Sequence, residues 1–545
     1  MKYDKLFING KIFTALSEDD FICAMAVRGG KIAWTGKSTD AQAPFFTAIA
    51  SQSEEVFDLS GKCVLPGFVD SHMHAIMLAN CSKQISVLPP LIHSIDELIV
   101  KIQETRAQQD VSLWIEGWGY DEGKLVEGRA PNRWDLDRGC SDAPVMILRT
   151  CGHTCVVNSY LLAKAGITKD TPDPDGGKIG RSEDGEPNGI LYENARNLIT
   201  ALQTPLTISQ IGDHLADLGK LLVSQGVTTG ADMGEFIDYD YQEVYQDAIK
   251  KGFSLRVAGY YMWDAIKNRP DFSIPESDMD PSHQFRVAGI KLIGDGSVSG
   301  KTAWYSQPYL LEQEDGTPEY GMPVCTESDI EDALAFAKSC GCQLSVHCMG
   351  DQAIERAVAH TYRTKPWTNA GIPSVRLEHV AFPTKEAIQR ASAAGIAWVT
   401  QPVFLYAEIE SYLKNLGEER TKEQYPIQDM LDAEIRLAFS SDAPATAWAF
   451  PSDPFVGLKA AVTRKSWNGT DCGARHRVSL GTAICLYTAR SAPMLGFAEV
   501  GMLQEGFAAD FIILDQDIFT IEASRIDQVK VVETWIGANC VYKRK

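Results

Sequence analysis

Eight short apolar runs, separated by helix-like stretches, constrain the fold of this chain more than any other feature. Each run has the length and the β-favouring composition of a buried strand. Seven of the eight lie after residue 196. The runs are CVLPGFVDSHMH (63–74), GVTTGADMG (226–234), SLRVAGYYMW (254–263), RVAGIKLIGDG (286–296), CQLSVHCMGD (342–351), SVRLEHVAF (374–382), IAWVTQPVF (396–404) and RLAFSSDAP (436–444).

The stretches between these runs have helix signals. Before the fifth run, Thr326 or Ser328 can cap a helix and Gly341 can end it. Strands that alternate with helices form parallel βαβ units. Eight such units favour an α/β fold, a (β/α)8 TIM barrel, over a doubly wound sheet.

The two ends of the chain contain short strands and turns instead. LFINGKIFTA and AMAVRGGKIAWTG are punctuated by Asn-Gly and Gly-Gly, and the C-terminal runs ADFIILDQD and KVVETWIGANCVYK are similar. We expect residues 1–65 and 480–545 to form one small β-sandwich domain. The alternative is that each end forms an unrelated appendage.

Residues 80–195 do not show the alternation of strand-like and helix-like segments that the barrel has. They include a Pro/Gly/Asp-rich stretch, TPDPDGGKIGRSEDGEPNG, and are far longer than the usual βα loop. We therefore predict an inserted subdomain at 80–195 over the barrel mouth. The metal-dependent barrel then comprises 66–79 and 196–479, and three units suit a chain of 545 residues.

Composition excludes some classes of partner. The chain has 51 basic and 72 acidic residues, a net charge of −21, which argues against nucleic acid or an anionic membrane surface. There is no signal-peptide core at the N-terminus and no apolar run of 18 residues. The 13 cysteines fit no zinc ribbon, so we expect a reduced, cytoplasmic setting. A small-molecule substrate remains open, and a homodimer is the usual expectation for an oligomer.

His72 and His74 end the first barrel strand. Residues at i and i+2 of a strand point to the same side, so the two imidazoles lie together. Surface or capping roles would also fit a His-x-His pair. Its position favours metal binding, because catalytic groups of barrels sit at the C-terminal ends of strands.

Other strand ends carry residues of similar chemistry. Imidazole and carboxylate groups together suit zinc or another first-row divalent ion. Two roles are possible for Asp295: it accepts a hydrogen bond from a metal ligand, or it is a turn residue before Gly296. The remaining candidates at these ends are Lys291, His347, His379 and Asp442.

This arrangement resembles the amidohydrolase superfamily, in particular its amidohydrolase-3 type, which includes N-substituted formamide deformylase. The order matches: His-x-His on strand one, Lys on strand four, His on strands five and six, Asp on strand eight. The resemblance covers nearly the whole chain, including the sandwich formed by both ends. The strings that carry it are LPGFVDSHMH, WIEGWGYD, RTCGHTCVVNS, GILYENA, IKLIGDGSVSGKTAW, VHCMGDQAIE, RLEHV and SSDAP.

The resemblance implies one or two divalent ions, most often Zn2+ in this chemistry. His72, His74 and Asp442 would hold one ion. His347 and His379 would hold a second, or would orient a single ion's ligands and the substrate. Lys291 matches a lysine that in many relatives is carboxylated and bridges two ions; an unmodified lysine that binds a substrate oxygen is the alternative.

The implied activity is hydrolysis of a non-peptide C–N bond in an amide, a formamide-like compound or a cyclic amide. Water activated by the ion attacks, and Asp442 moves its proton to the leaving nitrogen. Lys291 and His379 are the other catalytic candidates. Alternatives are an esterase, carbamate or aminohydrolase activity, a Schiff-base aldolase or isomerase using Lys291, and a non-catalytic regulatory relic.

Substrate-binding candidates lie in the insert and in the loop after strand four. Trp118 competes with a plain core role in the insert. Lys301 stands where relatives often have Arg, so bidentate pairing with a carboxylate is lost. The predicted substrate-binding residues are Trp118, Arg149, His153, Glu193, Lys301 and Trp304.

Overall fold

A computed structural model describes residues 2–37, 44–150, 152, 154–235, 240–310, 316–369 and 371–545. Two compact units divide the chain. One comprises Met1–Ile76, Leu215–Thr446 and Pro451–Lys545, and the other comprises Met77–His214 and Ala447–Phe450. The domain boundaries drawn from the sequence stay predictions.

The first unit contains a sheet of eight parallel strands that follow one another in chain order. Each predicted run supplies one strand, so the (β/α)8 barrel expected from the sequence is confirmed. Near the last and first strands, the Ser71 hydroxyl donates to the Phe439 carbonyl (2.8 Å) and the Ser441 amide donates to Asp70 (3.1 Å). The strands are β8 (Phe68–Asp70), β15 (Val227–Asp232), β16 (Arg256–Met262), β17 (Phe285–Ile293), β18 (Gln343–Cys348), β19 (Val375–His379), β20 (Ala397–Thr400) and β21 (Arg436–Phe439).

Two further sheets of this unit form the sandwich predicted from both termini. Antiparallel pairing of β22 with β7 joins the C-terminal strands to the N-terminal ones. Apolar side chains of both sheets share one core, including Phe7, Val64, Phe511 and Trp535. The four-stranded sheet has the order β5 (Lys31–Gly36), β4 (Ala24–Arg28), β1 (Tyr3–Ile8), β6 (Ser53–Asp58), and the six-stranded sheet β24 (Asn539–Lys543), β23 (Val531–Ile536), β22 (Phe511–Leu514), β7 (Cys63–Pro66), β2 (Lys11–Phe13), β3 (Phe21–Ile22).

The second unit is built on a mixed six-stranded sheet. Its core packs apolar side chains of the helix Ile95–Gln108, such as Leu98 and Ile102, against Ile115 and Ile147 of the sheet. Its position relative to the barrel mouth stays a prediction. The strand order is β13 (Gly177–Arg181), β14 (Pro187–Glu193), β12 (Thr154–Val157), β11 (Val145–Arg149), β10 (Ile115–Tyr120), β9 (Ile85–Ser86).

Local capping explains where the helix α10 (Glu327–Cys340) begins and ends. In α10 the Thr326 hydroxyl accepts from the Asp329 amide, Asp329 reciprocates, and Gly341 (φ 72°) ends the helix, as two of the sequence signals predicted. The α-helices are α1 (Pro44–Ser51), α2 (Ala75–Cys81), α3 (Ile95–Gln108), α4 (Arg133–Gly139), α5 (Ser159–Lys164), α6 (Asn197–Thr200), α7 (Ile208–Ser224), α8 (Tyr241–Lys250), α9 (Trp263–Ile266), α10 (Glu327–Cys340), α11 (Asp351–Thr361), α12 (Lys385–Ala394), α13 (Pro402–Ala407), α14 (Ile409–Lys422), α15 (Ile427–Asp432), α16 (Pro454–Thr463) and α17 (Leu480–Leu486).

Two observations bear on the setting expected for the chain. Within the described ranges, no helix has both the length and the apolar character that crossing a membrane requires. The cysteines that the structure describes are all free thiols. A cytoplasmic location stays a prediction.

Candidate metal centre

Three of the predicted ligand residues converge at the C-terminal ends of barrel strands. His72 follows β8, His379 ends β19 and Asp442 follows β21. Each of the three offers one ligand atom, and these atoms lie within 4.8 Å of one another. All three side chains are buried. The barrel therefore brings together two imidazoles and a carboxylate that are far apart in the sequence.

The closest pair in this cluster is not a hydrogen bond. His72 Nε2 lies 3.1 Å from Asp442 Oδ1, and His74 Nε2 lies 3.6 Å from the same oxygen. Neither His72 Nε2 nor Asp442 Oδ1 has a hydrogen-bond partner among the described residues. Buried polar atoms are almost always paired, so two unpaired ones side by side indicate that a further group belongs between them.

In three of the imidazoles, the Nδ1 atom contacts a hydrogen-bond acceptor of the protein. His72 Nδ1 lies 2.7 Å from Glu378 Oε2, His74 Nδ1 lies 2.9 Å from the Gly234 carbonyl, and His379 Nδ1 lies 2.9 Å from Gln401 Oε1. Each Nδ1 therefore carries the proton and donates it. This tautomer leaves the Nε2 lone pair of each ring free to bind a metal ion.

His347 is held differently. Its Nε2 lies 2.9 Å from the Gly296 carbonyl and 3.5 Å from Asp295 Oδ1, while its ring centre lies 4.4 Å from that of His379. It adjoins the cluster, but its Nε2 already contacts a protein acceptor. Its role as a ligand stays a prediction.

Asp295 ties together the loops around His347. Its carboxylate accepts the backbone N–H groups of Met349, Gly350 and Trp304, each at 2.9 Å. Burial raises its pKa to about 7, although these hydrogen bonds oppose the rise. Asp295 therefore fixes these loops by accepting their backbone N–H groups, and the two roles left open by the sequence stay predictions.

Lys291 lies on β17 and is almost fully buried. Its Nζ has no hydrogen-bond partner within the described part of the chain. Burial lowers its pKa to about 8, and the attraction of Glu378 and Asp442 limits the fall. A lysine with this pKa supplies more neutral amine than an exposed one, and only the neutral amine reacts with CO2. Carboxylation of Lys291 stays a prediction.

The charges of the cluster suit a cation. Burial lowers the pKa of His74 and of His347 to about 4, and it holds that of His379 well below its usual value. Burial alone would raise the pKa of Asp442, but the neighbouring His72 and His379 outweigh it and the pKa falls. Neutral imidazoles and an ionised carboxylate are the states that bind a divalent ion.

A buried network behind His72 was not expected from the sequence. Glu378 accepts from His72, from the Ser345 hydroxyl (2.7 Å), and from Arg376 Nε (2.5 Å) and Nη2 (3.0 Å). Arg376 also donates to the Tyr260 hydroxyl (3.0 Å). The signal was present in RLEHV, where Arg376 and Glu378 stand two apart, but their partners depend on register across the barrel.

The substrate-binding candidates fall in both units. Trp118 is buried in the second unit beside Leu88, so the core role has support. Arg149 pairs with Glu122 at 2.9 Å, and Glu193 is exposed at the end of β14. His153 lies outside the described residues.

The other two candidates lie in the loop after β17. Lys301 is half-buried with φ 57°, and the Arg356 guanidinium lies 4.2 Å from the centre of the Trp304 ring. That cation–π contact fixes the Trp304 side chain against α11. The substrate-binding roles of all six residues stay predictions.

Comparison with known proteins finds similarity over nearly the whole chain. Residues 55–542 match the model of the Amidohydrolase family. The chain is 29% identical over 543 residues to YtcJ of Bacillus subtilis (strain 168), which is named as an amidohydrolase, with 98% of each chain covered. It is 26% identical to the N-substituted formamide deformylase of Arthrobacter pascens, covering 99% of this chain and 98% of that one. The solved structure of an uncharacterised metal-dependent hydrolase from Pyrococcus furiosus has a TM-score of 0.72 at 26% identity, covering 95% and 100%.

Proposed function

The chain belongs to the amidohydrolase family, and we propose that it uses a divalent metal ion to hydrolyse a non-peptide C–N bond of a small molecule. An amide, a formamide-like compound or a cyclic amide is the proposed substrate class. The similarity to a formamide deformylase supports this choice. Zn2+ is the proposed ion, because imidazole and carboxylate ligands suit it.

One observation carries the proposal. Three buried polar atoms toward the C-terminal ends of barrel strands have no hydrogen-bond partner among the described residues. They are His72 Nε2, Asp442 Oδ1 and Lys291 Nζ. Leaving such atoms unpaired costs about 1–3 kcal/mol each. A divalent ion held by His72, His379 and Asp442 would satisfy the first two. His74 and Lys291 are the proposed additional ligands, Lys291 in its carboxylated form.

When bound, such an ion polarises the carbonyl under attack and lowers the pKa of the attacking water from 15.7 to about 7. The protein's own residues then move the proton. We assign its acceptance to the Asp442 carboxylate, whose lowered pKa keeps it ionised at neutral pH. Asp442 then delivers the proton to the leaving nitrogen, because an amine anion is a very poor leaving group.

Local backbone geometry orients Asp442 for this task. Its N–H donates to the His72 carbonyl at 2.8 Å, and the residue has φ 54°, a strained conformation for a non-glycine residue. His379 also has a positive φ, 72°. Both residues therefore have positive φ at the position where the candidate ligand atoms meet.

The test is a hydrolysis screen with zinc-loaded protein. The substrates are matched sets of N-formyl amines, N-acyl amines and cyclic amides, each paired with its ester counterpart. Release of a free amine from at least one amide, lost on chelation and restored by zinc, supports the proposal. Hydrolysis of esters alone would show that the proposed bond is wrong, and turnover that chelation leaves unchanged would contradict the metal.

A further inference from the structure

A large cavity lies apart from the candidate metal centre in the first unit. Its volume is about 1220 Å³, and none of the proposed metal ligands lines it. Its wall includes Arg286, the second residue of β17, whereas Lys291 is the seventh. Five residues of strand separate the two by roughly 16 Å. The cavity therefore reaches the end of the strand opposite to the metal centre.

The cavity lies beside an incomplete barrel connection. Between β16 and β17 the chain forms the four-residue helix α9 and a short 3-10 turn at Glu276–Met279, whereas α8 and α10 have 10 and 14 residues. Residues of this connection form one wall, and the C-terminal end of α10 forms another. A space larger than the usual ligand pocket of about 300–1,000 Å³ results.

Arg286 is the chemically distinctive residue of this wall. It is only 6% exposed. Its Nε donates to the Met279 carbonyl (3.0 Å) and its Nη1 to the Leu495 carbonyl (2.7 Å). In the described part of the chain its Nη2 makes no hydrogen bond and the guanidinium pairs with no carboxylate. Asp280 shares the wall and attracts the guanidinium electrostatically, but the two groups do not form an ion pair.

Arg464 provides a contrast within the same protein. It too is buried, and its hydrogen-bond partners among the described residues are carbonyls, not carboxylates. All three of its nitrogens are used, because they donate to the carbonyls of Gly473, Tyr425, Gln424 and Cys472. A buried arginine in this chain can thus be fully satisfied by carbonyls. Arg286 is not fully satisfied, because its Nη2 makes no hydrogen bond among the described residues, and this residue lines the cavity.

The rest of the wall supplies several aromatic rings. The Trp263 indole N–H is buried and has no hydrogen-bond partner among the described residues. The Trp263 and Phe336 rings lie 5.7 Å apart, and Phe272 stacks on Phe336 at 6.1 Å. The buried Trp263 nitrogen has almost no accessible surface, so Arg286 Nη2 is the unpaired donor of this wall. A guanidinium beside apolar rings favours a ligand that has acceptor oxygens and an apolar body.

We propose that this cavity binds an organic anion with an aromatic or other apolar body, and that the Arg286 guanidinium recognises its anionic group. The anion supplies the acceptor that Nη2 lacks. The rings of Trp263, Phe272 and Phe336 contact the apolar body. This site is independent of the proposed hydrolysis, and failure of either proposal leaves the other standing.

The test uses two fluorescent probes on the full-length, zinc-loaded protein. 8-Anilinonaphthalene-1-sulfonate has an aromatic body and a sulfonate, and N-phenyl-1-naphthylamine has the same body without the charge. The variants are R286Q, S339W and R464Q. Ser339 is an exposed α10 residue of the wall, so a tryptophan there fills part of the cavity. R464Q is the matched control, and circular dichroism checks the fold of each variant.

We expect the sulfonate probe to bind wild type with one saturable site. R286Q should weaken that binding at least about tenfold, because a hydrogen bond to a charged group is lost. It should change binding of the neutral probe less than about twofold. S339W should weaken both probes, and R464Q neither.

Several outcomes would overturn the proposal. One is equal loss of both probes in R286Q, and another is undiminished sulfonate binding in R286Q or in S339W. If R286Q does not fold, the affinities of the two probes are compared in the wild-type protein, for the binding that S339W removes. There the sulfonate probe must bind at least about tenfold more tightly than the neutral probe, and equal affinity refutes recognition of the anion.

Discussion

Replacing Glu378 with glutamine tests whether the buried network behind His72 holds that imidazole for metal binding. Glu378 is 0% exposed and receives four donors, from His72, Ser345 and two nitrogens of Arg376. Glutamine has almost the same shape but only one acceptor oxygen. At most two of the four donors keep a partner, and the positive charge of Arg376 loses its counter-charge.

The expected cost follows from these contacts. Two unsatisfied buried donors cost about 1–3 kcal/mol each, and breaking a buried ion pair from one side costs about 3–5 kcal/mol. These two ranges count the same lost partners and do not add, so we expect Glu378→Gln to lower the free energy of unfolding of the metal-free protein by about 3–5 kcal/mol. We expect the remaining oxygen to stay with the charged Arg376, so that His72 Nδ1 loses its acceptor and the ring is free to rotate. Comparable losses weaken metal binding about 10- to 100-fold.

Two measurements separate these effects. Urea unfolding of the metal-free protein gives the change in stability, and competition with a fluorescent zinc chelator gives the affinity. Glu116→Gln is the matched control, because Glu116 is a partly buried acid that accepts from the Gln203 side chain at 2.7 Å in the second unit. Zinc affinity within twofold of wild type in folded Glu378→Gln would refute the positioning role.

Three other changes test separate parts of the account. Asp442→Asn should retain metal, because the amide oxygen can still bind, yet lower kcat by about 10²–10⁴-fold; near-normal turnover would contradict the proton-transfer role. Thr326→Ala should lower stability by about 1 kcal/mol through loss of the α10 cap, while Ser328→Ala changes it by less than about 0.5 kcal/mol; equal effects in thermal melts would refute the capping assignment. Asp453 caps α16, and burial raises its pKa from 3.8 to about 6, so the folded state loses stability as pH rises through this window. Asp453→Asn should therefore stabilise by up to about 3 kcal/mol above pH 6 and gain little below pH 4; a gain independent of pH would contradict this.

The barrel could be predicted because its strands are buried on both faces and stand out as apolar runs between capped helices. The first run shows the limit of that signal. It divides at Gly67 into β7, which pairs in the sandwich, and β8, which pairs in the barrel. A Cβ on Gly67 would lie 2.4 Å from Thr228, so only glycine fits at the division. A continuous apolar run does not reveal which sheet each half joins.

The ligand types at the site could also be predicted, because strand order alone places strand ends together. Their partners could not. Gln401 contacts His379 and Glu378 contacts His72 through the register between strands, which the sequence does not encode locally. Strict alternation would place Glu378 and His379 on opposite faces of β19. The φ of 72° at His379 breaks that alternation, so both side chains reach His72.

Metal content distinguishes a barrel that holds a divalent ion from one that holds none. The protein is purified without chelator, dialysed and analysed by plasma mass spectrometry, beside a His72→Asn/His379→Asn double variant that retains the wild-type circular dichroism spectrum. The account predicts at least one divalent ion for each wild-type chain and less than ~0.1 in the variant. A wild-type chain that retains no ion even after incubation with zinc, or a variant that retains as much as wild type, would contradict it.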